Sequence, residues 1–114
     1  MRLDSEDLDK RQTYFLMTSS IVPRPVAWVG TRSAMGVDNL APFSYFSGVS
    51  SDPPLVSLSV ARARGGELKD TAQNILSRGE LSISIASIPL LESVHNTSAS
   101  LPPEESEFDA FEIP

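Results

Sequence analysis

Asn39-Leu-Ala-Pro-Phe-Ser-Tyr-Phe-Ser-Gly-Val-Ser-Ser-Asp-Pro-Pro54 alternates small hydroxyl residues with aromatics and prolines in a pattern that a plain core strand does not need. Pro42 removes a backbone donor from an otherwise strand-like run, which directs that run to a sheet edge or a bulge and leaves neighbouring N–H and C=O groups free. Ser44, Ser47, Ser50 and Ser51 bring hydroxyls that donate and accept, and Phe43, Tyr45 and Phe46 bring flat apolar faces. The stretch reads as a binding surface for a planar ring with a heteroatom rim.

On the N-terminal side, residues 1–18 mix charges with Leu3, Leu8, Tyr14, Phe15, Leu16 and Met17 and read as an arm whose second half packs on the body formed by residues 19–114. Ile21-Val-Pro-Arg-Pro25 is kept extended by its prolines and leads into a first strand, Val26–Thr31. The Arg32–Gly36 connection predicts a hairpin into Val37–Phe46. On the C-terminal side, Asp52-Pro-Pro54 is a rigid turn, and Leu55–Val60 alternates apolar Val56, Leu58 and Val60 with Ser57 and Ser59. Lys69–Arg78 reads as a helix with Ala72, Ile75 and Leu76 inward and Gly79 as its stop. Leu81–Ala86 alternates as a half-buried strand, and Ile88–Val94 suggests a short second helix after Pro89. Four strands and one crossover helix predict a mostly β fold with one or two short helices, a small antiparallel barrel that four strands alone do not close.

The composition, 40% hydrophobic and 21% charged over 114 residues, is that of a single globular domain. The acidic N-terminus lacks the basic and apolar regions of a signal peptide, and no apolar run suits a bilayer, so no membrane partner and a cytoplasmic location are expected. The absence of cysteine excludes disulfides and thiolate chemistry, and one histidine cannot make a His-rich metal site, so no metal is expected. A formal net charge of −6 argues against nucleic acid. Residues 24–78 nevertheless hold six bases against four acids, while residues 79–114 hold seven acids and no lysine or arginine. A basic middle third in an acidic chain fits either a small-anion site or a solvated basic face.

Five segments in order carry a resemblance: Arg24-Pro-Val-Ala-Trp-Val-Gly-Thr31, Gly36-Val-Asp-Asn-Leu-Ala-Pro-Phe-Ser44, Val49-Ser-Ser-Asp-Pro-Pro54, Lys69-Asp-Thr-Ala-Gln-Asn-Ile75 and Gly79-Glu-Leu-Ser-Ile83. Together they resemble the flavin reductase-like FMN-binding split barrels of the flavoredoxin type, from about Ser19 to Phe111. The resemblance implies a Greek-key-like antiparallel split β-barrel of six strands, cut short here at its C-terminal side. It also implies FMN at the interface of a homodimer, and electron transfer from NAD(P)H or another donor to flavin or another acceptor. A flavoredoxin-like electron carrier, or a flavin-free barrel fragment serving in dimerisation or partner binding, are the alternatives.

For single residues, the helix start at Lys69, Asp70 and Thr71 is either an ordinary cap or an anion site, and the resemblance selects the phosphate of FMN, with Lys69 and the Thr71 hydroxyl facing it. Arg62, and secondarily Arg64, join them because a guanidinium matches phosphate bidentately. The resemblance places Ala41, Pro42, Phe43 and Ser44 on the ribityl chain and flavin edge, and Ser50, Ser51 and Asp52 on the pyrimidine part, while Asn39 bonds either the ligand or the turn. Against this, Phe43 and Phe46 read equally as core, Asp52 as a turn cap, and Trp28 as core. No catalytic side chain is assigned, since a flavin carries its own redox chemistry; His95 with Asn96 orders the descending loop.

Overall fold

The computed structural model describes residues 2–114. Strand β1 (Ala27–Arg32) is central to a three-stranded antiparallel sheet, flanked by β2 (Asp38–Phe43) and the short β5 (Ser82–Ser84). β3 (Phe46–Ser51) and β4 (Pro54–Leu58) form a separate hairpin. Helix α1 (Lys10–Ser20) precedes the sheet, α2 (Asp70–Arg78) links β4 to β5, and α3 (Leu91–Asn96) and α4 (Glu107–Ala110) follow.

Local chemistry explains the joints. Between β1 and β2, Gly36 takes φ 86° in a turn closed by Ser33 N–H to the Val37 carbonyl at 2.8 Å. Beyond that turn, Arg32 and Asp38 pair across the strands through two bonds of 2.6 and 2.9 Å. The guanidinium's hydrogen bonds hold the Asp38 carboxyl below the usual carboxylate range. Its small, solvent-screened contribution to stability is present above the ordinary carboxylate pKa and lost as pH falls through the depressed value. Pro42 sits in β2, an edge strand of this sheet, where a residue without N–H breaks no ladder. Gly79 ends α2 at φ 72°, as a left-handed C-terminal residue.

Ala27, Val29 and Phe43 form the apolar core, with Ala41, Phe46, Leu58, Val60 and Ile83 packed against it. Trp28 is also buried, as its strand position suggests, and its Nε1–H donates to the Thr97 hydroxyl at 2.9 Å. Thr97 in turn donates to the Val94 carbonyl at 3.0 Å, which ties the end of α3 to β1.

Several elements differ from the expectation. Residues 46–51 form a strand in their own right, because Phe46 and the backbone of a Ser/Gly-rich run pair with β4 around an irregularity between Gly48 and Ser50. Only the base of that hairpin is covered; Val49, Leu55 and Val56 along its outer half are more than half exposed. Residues 10–20 are helical, started by an Asp9 and Gln12 capping box, yet α1 buries none of its residues, so the packing expected of Tyr14 to Met17 is absent. In α2 the inward positions are Thr71 and Asn74, and Leu76 is 74% exposed. The surface is 8640 Å², against about 6,100 Å² for a compact monomer of this mass. The 15.8 Å radius of gyration likewise exceeds the roughly 13 Å of a compact chain this long.

Thr97→Val removes the partner of a buried indole N–H and is expected to cost about 1–3 kcal/mol. Thermal unfolding followed by circular dichroism should show a midpoint lowered by roughly 4 °C or more, and an unchanged midpoint would show that this bond does not secure α3.

Candidate functional site

Thr31 and Asn39 are cross-strand partners on β1 and β2, so both side chains stand on one face of the sheet. Helix α2 lays Thr71 and Asn74, three residues apart, on that same face. The side chains interlock: the Thr71 hydroxyl donates to Asn39 Oδ1 at 2.9 Å, the Thr31 hydroxyl donates to the same oxygen at 3.3 Å, and Asn74 Nδ2–H donates to Thr31 Oγ1 at 3.1 Å. From the far end of the chain, Glu107 on α4 closes the group. Its carboxylate, 4% exposed, accepts from Asn39 Nδ2 at 3.1 Å on each oxygen and from the Leu40 N–H at 2.9 Å.

Above this network opens a cleft of about 750 Å³, within the usual size range of small-molecule sites. One wall is β2 from Asn39 to Phe43, and the opposite wall is the start of α2. The loop carrying Arg62 and Arg64 and the segment Thr97–Leu101 complete it. Lys69 stands at the N-cap in extended conformation and provides no capping acceptor, so no side chain satisfies the first N–H groups of α2. Arg62 donates to the Gly66 carbonyl at 2.9 Å, and the Ala63–Glu67 turn folds back on itself through two backbone bonds. Among the described residues, none of Arg62, Arg64 and Lys69 is ion-paired.

Eight of the twelve residues singled out in the sequence line this cleft: Asn39, Ala41, Pro42, Phe43, Arg62, Lys69, Asp70 and Thr71. Ser44 does not; it opens on a second, more apolar cleft of about 540 Å³ with Tyr45 and Phe46. Ser50, Ser51 and Asp52 lie exposed at the tip of the β3–β4 hairpin, where the Ser50 hydroxyl accepts from the Asp52 N–H at 3.2 Å. Thr71, expected to turn its hydroxyl to a phosphate, lines the cleft with its hydroxyl proton spent on Asn39, and the residue is 2% exposed. Asn39 is likewise engaged at both ends of its amide. His95 lies at the end of α3, exposed and off the cleft. Sequence reasoning missed Thr97–Leu101, whose only signal is a Thr/Ser-rich loop, and Glu107, which has none.

An open antiparallel sheet with a crossover helix, and a cleft where that helix begins, make up one part of a split-barrel fold. A family model for the flavin reductase like domain matches residues 17–114, and the chain belongs to that family. It is 44% identical over 103 residues to the uncharacterized protein YwrF of Bacillus subtilis (strain 168), covering 90% of this chain and 50% of that protein. Among solved structures it is similar to nitrilotriacetate monooxygenase component B from Bacillus cereus, with TM-score 0.91 and 39% identity over 98% of this chain and 55% of that one. A split barrel domain from Shewanella frigidimarina NCIMB 400 matches with TM-score 0.76 and 26% identity, over 96% of this chain and 55% of the other. The fold is therefore the split barrel, and the chain spans about half the length of these relatives. Among the described residues no helix is long and apolar enough to cross a membrane.

Asn39→Ala strips a donor from the buried Glu107 carboxylate and the acceptor from two threonines, so it is expected to lower stability by about 3 kcal/mol. Arg64→Ala, at an exposed and unpaired position, should change it by less than about 0.5 kcal/mol. Urea unfolding of both variants checks this, and equal effects would show that the network carries no particular share of the stability.

Proposed function

We propose that the chain binds FMN in the cleft and serves as a flavin reductase-type oxidoreductase, passing electrons from NAD(P)H or another donor to flavin or another acceptor. The observation that carries this reading is electrostatic. In a chain of formal charge −6, three cations without ion-pair partners among the described residues rim one cleft at a helix start that has no side-chain cap. Long-range repulsion of a dianion by such a chain is overcome only by local cations and aligned N–H groups, and both converge at this point. Lys69 and Arg64 would hold the phosphate, with the N–H groups of the first turn of α2 behind them and Arg62 stiffening the loop. The Asp70 carboxylate, which lines the cleft, favours the helix and opposes the anion, so it would turn away from a bound phosphate.

Along the other wall, Ala41, Pro42 and Phe43 offer backbone groups and an apolar surface to the ribityl chain and the ring edge. Bound FMN supplies the redox chemistry, and the residues of the cleft orient and shield it. Ser44, Ser50, Ser51 and Asp52 lie outside this cleft, and they meet a flavin only if it also touches a second copy of the chain. The reading therefore includes a homodimer with the flavin at the subunit interface, in the cytoplasm. The exposed outer half of the β3–β4 hairpin and the surplus surface support such an assembly.

Lys69→Ala is expected to weaken FMN ten- to a hundredfold, at about 1.5–3 kcal/mol for a charge-assisted bond, and to leave riboflavin, which lacks the phosphate, nearly unaffected. Fluorescence quenching with both ligands on both proteins measures this. Equal changes for the two ligands would move the phosphate away from α2. NAD(P)H oxidation with free flavin then separates a reductase from an electron carrier. For the assembly, sedimentation equilibrium should give a dimer at micromolar concentration, and a stable monomer that still binds FMN tightly would remove the interface from the reading.

A further inference from the structure

The polar network beneath the cleft has a direction. A carboxylate has no proton to give, so Glu107 only accepts. Asn39 must then turn its NH₂ toward Glu107, at 3.1 Å from each oxygen, and its Oδ1 toward Thr71 and Thr31. With its single proton donated to Oδ1 at 2.9 Å, Thr71 has only lone pairs left for the cleft.

Resting on the flavin reading above, the geometry points to Glu107 as a positioning residue that sets the hydrogen-bond polarity of Thr71 at the phosphate end of the cleft. It reaches that end through Asn39, 68 residues away in sequence. The Leu40 N–H, 2.9 Å from one Glu107 oxygen, fixes which oxygen must stay an acceptor. In Glu107→Gln the remaining amide oxygen keeps the Leu40 bond, and the new NH₂ faces Asn39. Asn39 then turns over, presenting Oδ1 to the new amide and Nδ2 to Thr71 and to Thr31, whose 3.3 Å bond to Oδ1 is the longer of the two. Thr71 becomes an acceptor, and its proton is released toward the cleft. A phosphate beside it gains a donor, whereas riboflavin has no phosphate to profit.

The sign separates this role from a structural one. Glu107→Gln is expected to raise the ratio of FMN to riboflavin affinity about three- to tenfold, less than a full bond to a charged group because the Thr31 proton loses its place on Asn39 Oδ1. In a Thr71→Val background the same substitution should change the ratio by less than about twofold, since coupled residues are not additive. A rise of equal size in both backgrounds would assign the effect to the lost charge acting directly, and loss of both ligands in equal measure would assign Glu107 a purely structural part. Either overturns the proposal. If Glu107→Gln does not fold, Thr71→Val alone decides: both affinities drop but their ratio stays within about twofold, whereas a tenfold fall in the ratio would show that Thr71 already donates to the phosphate. If the unsubstituted chain does not distinguish FMN from riboflavin, the phosphate reading itself fails. The ligand-free protein still tests the polarity, because the Asn39 side-chain amide protons should move upfield in ¹H–¹⁵N spectra when the carboxylate is lost, and unmoved resonances would overturn it.

Discussion

A carboxylate buried at 4% exposure is the constraint from which the rest of the site follows. Removing an ionised group from water costs several kcal/mol even after relaxation, and the cost is offset only where donors surround it. Glu107 finds them in the Asn39 amide and the Leu40 backbone N–H, both on β2. A helix of four residues thereby becomes an anchored element, because leaving β2 would strand the Asn39 amide and the Leu40 N–H without their acceptor. The same bonds orient Asn39, and Asn39 gathers Thr71 from α2 and Thr31 from β1. One charge thus joins α4, β2, α2 and β1 in a single polar cluster that does the work an apolar core does elsewhere.

That cluster separates the interior of the cleft from its rim. Below, Glu107, Asn39, Thr71, Thr31 and Asn74 each have an internal partner and a fixed direction of donation, so little there reorganises when a ligand arrives. At the rim the opposite holds: Arg64 and Lys69 are exposed and unpaired, and the helix start behind them has no side-chain cap. Cations that already had carboxylate partners would have to surrender them to an anion and would gain less. The rim groups are available because the fold is held together without them.

Much of the frame is legible in the sequence because it rests on short-range rules. β1 and β2 follow from β-branched and aromatic runs around a glycine turn, and α2 is bounded by Lys69 and Gly79 at the positions its pattern indicates. The eight singled-out residues that line the cleft were legible for the same reason, since each belongs to a local motif. What escaped depends on partners distant in the chain. The stripe of Ala72, Ile75 and Leu76 is the apolar face that periodicity selects, yet the sheet beneath presents Thr31 and Asn39, so the helix turns Thr71 and Asn74 inward. Glu107 sits among seven acids of the C-terminal third, and nothing near it in sequence marks it as the one that is buried. β3 was hidden because its serines and glycine carry weak strand propensity, and only pairing with β4 makes them a strand.

The size of the apolar core bears on how much of the surface is left to be covered. Five hydrophobic residues are buried, while Tyr14, Phe15, Val49, Leu55 and Val56 are exposed by half or more. At about 25 cal/mol per Å², covering the roughly 2,500 Å² of surplus surface would be worth tens of kcal/mol before entropy is charged against it. Such surface calls for cover, by further chain or by a second copy. The hairpin residues Ser50, Ser51 and Asp52 stand on that uncovered side, away from the cleft rim. On the proposed reading, whatever covers the hairpin also decides whether its hydroxyls and carboxylate reach the flavin, so that completing the core and completing the site would be one physical step.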